Sequence, residues 1–112
     1  MLGSLRPALQ ELVALRADAA ELDVAVQRGE PSPLGGLPEL KAAQARLDEL
    51  LSSVAAQDLQ IKGLAPVLLD FPAELDGVPV LLCWLEGEAE LGWYHRADVG
   101  FLGRRRLPPD AR

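Results

Sequence analysis

Cysteine and histidine each occur once in the chain, as Cys83 and His95. One cysteine excludes an intrachain disulfide framework and fits a reducing, cytoplasmic setting. One histidine, with no Cys-x-x-Cys or His-x-x-x-His spacing, leaves no recognisable zinc-finger or metalloprotease pattern. Aromatic residues make up only 4% of the chain, and all five lie between Phe71 and Phe101. A long hydrophobic run is also missing. Val78 to Leu85 is the longest apolar stretch, against the roughly 20 residues that span a bilayer. Met1 is followed by a polar, Arg-containing stretch rather than a secretory leader. The expectation is a soluble protein with no membrane contact.

Basic charge is scarce where it would matter for nucleic acid. The net charge is −6. Residues 1–62 carry −3, residues 63–103 carry −6, and residues 104–112 carry +3. Binding a phosphate backbone relies on Lys and Arg neutralising charge, so an acidic body disfavours nucleic acid as a partner. The 112 residues suffice for one domain with a modest core.

The chain does hold two amphipathic patterns in its first half. Leu5, Leu12, Ala19 and Val26 recur every seven residues, with Ala8, Leu15 and Leu22 between them. That is an a/d seam of the coiled-coil kind. Pro7 suits a first helical turn, where its missing N–H is not needed. "RGEPSPLGG" (Arg28 to Gly36) then stops the helix. A second helix is predicted from near Pro38 and Glu39, with Leu40, Leu47 and Val54 repeating and Ala43 and Leu50 between. The pattern fades at Gln57. Leu9, Val13, Leu37 and Leu51 widen the stripes, which predicts either cover from the rest of the chain or a homodimer through the helices.

After Lys62 the apolar period shortens to about two. "PVLLDF" reads as a strand ended by Pro72, Asp76-Gly77 as a tight turn, and "VPVLLCWL" (Val78 to Leu85) as a strand. Glu86-Gly87 or Gly87-Glu88 is expected to form a two-residue hairpin turn, with Ala89 to His95 as the return strand. In that register Val80, Leu82 and Trp84 share a face with Leu91, Trp93 and His95, while Cys83 faces away. A three-residue turn would exchange the two groups. The fold class is therefore α+β: an N-terminal antiparallel helical hairpin followed by a small three-stranded antiparallel β-meander. As one domain, 1–112, it divides into a hairpin (1–62), meander and loop (63–104) and a basic tail (105–112).

The segment "LLDFP…DGVPVLLCWLEGEAELGWYHRADVGFLGR" resembles the C-terminal signature of a small bacterial family of uncharacterised proteins, the domain-of-unknown-function family 2203. That signature is of the type "VDFP", "LCW..GE", "YWH" and "GF.GR". Here it reads Leu69-Asp70-Phe71-Pro72, Leu82-Cys83-Trp84 with Gly87-Glu88, Trp93-Tyr94-His95 and Gly100-Phe101-Leu102-Gly103-Arg104. The aromatic pair before His95 is reversed relative to the commoner order. The "FT..EA" lead-in before the first helix is missing, which implies a less well capped start. The resemblance is specific over residues 66–104 and compositional over the helices. It supports the helical-hairpin-plus-sheet layout and carries no activity.

Three functions compete. The first is a non-catalytic interaction or assembly module that dimerises through its helices and takes a protein partner, with the acidic hairpin tip (Glu86, Glu88, Glu90) and Arg104 to Arg106 as opposed charges. The second is a metal or ligand site near the end of the last strand. There Asp70 and His95 are the candidate ligands of a divalent metal, and Asp70, Trp84, His95, Asp98 and Arg104 are the candidate ligand-binding residues. The loop "DVGFLGR" (Asp98 to Arg104) belongs to that region, since glycines admit close backbone approach. The third is nucleophilic catalysis by Cys83, which needs a base nearby. With Cys83 turned from His95 in an apolar strand, an inert thiol is expected. The assembly reading is preferred, no catalytic residue is named, no cofactor is expected, and the balance is against an enzyme.

Overall fold

The structure is a computed structural model and describes residues 2–108. The last four residues of the basic tail, 109–112, lie outside the described residues. The chain divides after Val54 into two compact units, one helical and one built on a sheet.

In the helical unit, α1 spans Leu2–Arg28 and α2 spans Leu37–Ala55. Both obey the apolar period. Leu5, Leu9, Leu12, Leu22 and Ala25 are buried on α1, and Leu40, Ala43, Leu50 and Val54 on α2. The α1 stripe is rotated slightly from a strict a/d seam. Leu9 and Ala25 are buried, while Ala8, Leu15, Ala19 and Val26 are half-buried. Pro7 lies inside α1 rather than in its first turn. The bond it removes would have ended on the carbonyl of Gly3, an exposed residue that water can reach.

The predicted stop after α1 is a Schellman motif. Gly29, at φ 66°, donates to the Val26 carbonyl (3.2 Å), and Glu30 N–H donates to that of Ala25 (2.9 Å). At the start of α2, the Glu39 carboxylate reaches back to the Gly36 N–H at 3.4 Å, one half of a capping box. The helices run antiparallel. Arg46 of α2 pairs with Glu11 of α1, while Leu15, Asp18 and Leu22 lie beside Glu39, Ala42 and Ala43.

The sheet unit holds five strands: β1 (Gln60–Leu64), β2 (Val67–Leu75), β3 (Val78–Leu85), β4 (Trp93–Arg96) and β5 (Arg105–Arg106). They hydrogen-bond in chain order, each antiparallel to the next. The α+β class holds, but the meander has five strands rather than three. The two extra strands escape a pattern reading for physical reasons. β1 is interrupted by a bulge between Ile61 and Gly63, and β5 is two arginines with no apolar alternation. A 3-10 turn, Phe101–Gly103, precedes β5, and a Cβ at Gly103 would collide with the Val99 side chain.

Two turns and one proline fix the register. Asp76 and Gly77, at φ 52° and 78°, form the expected two-residue turn, pairing Leu75 with Val78. Pro72 does not end its strand: β2 continues to Leu75. The pairing of β1 stops at Asp70, so beyond that point β2 is an edge, where a missing N–H costs nothing on the open side.

The link from β3 to β4 also differs from the expectation. Gly87, at φ 101°, does turn the chain, closed by Glu88 N–H to the Leu85 carbonyl (2.9 Å). The ladder resumes only at Trp93, so the connection spans Glu86 to Gly92, seven residues. An odd connection inverts the faces relative to a two-residue turn. His95 stands opposite Leu81, and Trp93 opposite Cys83. His95 therefore shares a face with Cys83 and not with Trp84.

A buried Asp-Cys-His cluster on the sheet

Three adjacent strands place three polar side chains on one face. Asp70 of β2 pairs across the ladder with Cys83 of β3, and His95 of β4 pairs with Leu81, two residues from Cys83. All three are buried, Cys83 completely. One donor atom from each, a carboxylate oxygen, the thiol sulfur and an imidazole nitrogen, lie within 4.8 Å of one another.

The imidazole is held at both nitrogens. Nδ1 lies 2.8 Å from the Arg96 carbonyl. A carbonyl only accepts, so Nδ1 carries its hydrogen and donates. The same carbonyl accepts from Val99 N–H at 3.1 Å, so the turn after β4 fixes the ring. Nε2 then faces both Asp70 oxygens, at 3.2 and 3.3 Å. With Nδ1 protonated, a neutral ring offers a lone pair to a carboxylate, and two acceptors cannot bond each other. Either one proton or one cation must lie between them.

Burial pushes the Cys83 thiol up to about 11, and the Asp70 and Glu88 carboxylates push it the same way. Arg104 opposes them, and a hydrogen bond from the thiol to Asp70 adds to the rise. At neutral pH the thiol is protonated and is not a nucleophile. A cleft of about 250 Å³ borders the cluster on one side, walled by Asp70 and His95 with Lys62, Leu68, Leu81 and Phe101.

The other sequence-predicted residues lie elsewhere. Trp84 is on the opposite face, where its Nε1–H donates to the Glu88 carbonyl at 2.8 Å. Asp98 is exposed and pairs with Arg96 at 2.8 Å. Arg104 pairs with Glu88 at 2.6 Å and stacks over Trp93 and Phe101, with its guanidinium carbon 4.4 and 4.9 Å from the ring centroids. Glu88 also accepts from Leu85 N–H at 2.7 Å, so Arg104 and Glu88 together pin the β3–β4 loop. Asp70 and His95 are thus brought together, and Cys83 joins them. The one signal that could have found Cys83 is the alternative turn length, which exchanges the faces.

No helix among the described residues is long and apolar enough to cross a membrane. No curated protein and no solved structure matches the chain. A family model does match, that of the Uncharacterized conserved protein (DUF2203), over residues 1–107. The match runs through both helices as well as the C-terminal signature, and the chain belongs to the DUF2203 family.

Proposed function

We propose that this protein binds a divalent metal of the zinc class at Asp70, Cys83 and His95. The observation that carries the proposal is the His95 ring: Nδ1–H is fixed on a backbone carbonyl, so Nε2 meets the Asp70 carboxylate only across a proton or a cation. Metal-ligating histidines have this arrangement, the second nitrogen donating to a carbonyl or carboxylate. Zinc bonds of about 2.0–2.1 Å to nitrogen and oxygen give a tetrahedral edge of about 3.3 Å. The 3.2 Å between Nε2 and the Asp70 oxygen fits that edge. A thiolate, an imidazole and a carboxylate suit zinc or a neighbouring transition ion, and not calcium or magnesium, which take oxygen ligands. Three protein donors leave a fourth position open, as in sites that bind or transform a ligand.

The test is a zinc titration of chelator-treated protein in competition with a chromophoric chelator. Wild type is expected to take one equivalent, with affinity rising with pH because Cys83 must lose its proton. His95→Ala and Cys83→Ser are expected to lose most of the affinity. Wild type that fails to compete, or variants that compete equally well, contradict the proposal.

A second reading concerns the helical unit. Val24, Leu34 and Leu37 stay exposed at 45%, 37% and 50%. They support self-association of two copies through the helices, in the manner of an assembly module. Light scattering that gives a monomeric mass for wild type, or the same dimeric mass for a Val24→Glu/Leu37→Glu double variant, counts against it.

A further inference from the structure

We infer that the metal's open position, together with Lys62, binds a small monocarboxylate in the cleft beside the cluster; this rests on the metal reading above. Asp70, Cys83 and His95 come from three neighbouring strands and lie on one sheet face. A metal held by these three donors would leave its open position to be filled from outside the sheet. What lies there is the cleft: Asp70 and His95 belong to its walls, and Cys83 does not.

The cleft's walls define the ligand. Lys62 is its one lysine or arginine, and alternation from Gln60, which pairs with Asp70, puts it on this face. Ile61 pairs with Leu69 and Gly63 with Leu68, so Lys62 is the extra residue of a bulge. The bulge leaves Lys62 without a partner in the ladder, and its side chain lines the cleft beside Leu68 and Asp70. An ammonium group and a metal on one cleft are a pair of anchors for an oxyanion.

Leu68, Leu81, Ala97 and Phe101 make the remaining walls largely apolar. They suit a carboxylate with a short hydrocarbon body. The volume of about 250 Å³ is below the range of drug-sized pockets, which restricts the ligand to a few heavy atoms beyond the carboxylate. The charge of residues 63–103, −6, disfavours a dianion such as phosphate against a monoanion.

Cobalt(II) in place of zinc gives visible bands that report the coordination shell, so metal binding and ligand binding are read separately. Cobalt-loaded protein is titrated with butyrate, benzoate and inorganic phosphate, for wild type and for Lys62→Met, whose side chain is exposed and outside the donor set. Saturable band shifts with butyrate or benzoate, weaker ones with phosphate, and a roughly five- to tenfold loss of carboxylate affinity in Lys62→Met support the inference. If cobalt binds with thiolate-type bands but no carboxylate moves them, the inference fails and the metal site stands. Equal carboxylate affinity in Lys62→Met, or phosphate binding tighter than butyrate, also overturns it. A failure of cobalt to bind at all overturns the metal reading itself.

Discussion

The helical unit and the sheet unit handle charge in opposite ways. On the helices, Arg46 reaches Glu11 at 2.6 Å and Glu49 at 3.0 Å, with the Arg46 and Glu11 side chains 46% and 42% exposed. The Arg46 hydrogen bonds hold the Glu11 carboxyl below its usual range, yet both groups stay in water. In the sheet, the His95 and Asp70 side chains are 4% and 5% exposed, and the imidazole is bonded at both nitrogens. An exposed pair exchanges water for protein at little net gain, whereas a buried polar group left alone carries its full desolvation cost. Losing a charge on the helices is expected to cost little. Losing the carboxylate of the sheet cluster is expected to cost far more.

Breaking the buried side should have the largest effect. Asp70→Ala leaves His95 Nε2 and the Cys83 thiol without their acceptor, and a loss of about 3–5 kcal/mol is expected in chemical denaturation. A loss below about 1 kcal/mol would mean that water readily replaces the carboxylate.

The pH dependence of the metal-free protein comes next. The folded chain holds the Cys83 proton up to about pH 11, while an unfolded chain releases it near the ordinary value of 9.0. The folded state therefore binds more protons in that window. Stability is full below about pH 9 and falls as pH rises towards 11, by about 2–3 kcal/mol in all. Cys83→Ala should flatten this decline, and an unchanged slope in that variant would assign it to other groups.

Arg104→Lys probes the loop that sets the register. The lysine keeps the charge toward Glu88 but loses the planar stacking over Trp93 and Phe101, at an expected cost of about 1–2 kcal/mol. No change in the denaturation midpoint would show that the stacking is incidental. Smallest of all is Arg46→Ala on the helices, which should leave the thermal midpoint essentially where it was. A marked drop would erase the contrast between the two units.

The parts of the fold that follow local rules were readable from the residues. The stripes through Leu5 and Leu40, the Gly29 stop, the Asp76-Gly77 turn and the bounds of β3 each depend on a few neighbouring side chains. Pro72 misleads because its cost depends on whether β1 still runs beside it, which no local window contains. The β3–β4 connection misleads for the same reason. Glu86-Gly87 does turn the chain, but the return is set by distant bonds, Arg104 to Glu88 and Leu107 N–H to the Gly92 carbonyl at 2.8 Å. That one parity decides the site. Asp70 and His95 could be named from chemistry alone, whereas Cys83 needed the register.

The most direct measurement is native mass spectrometry of wild type and His95→Ala, purified without chelators or an affinity tag and then incubated with zinc. One zinc per wild-type chain and none on a folded His95→Ala chain is the expected result. A wild-type chain that stays metal-free, or a His95→Ala chain that holds zinc as well as wild type does, would contradict the assignment of Asp70, Cys83 and His95 as a metal site.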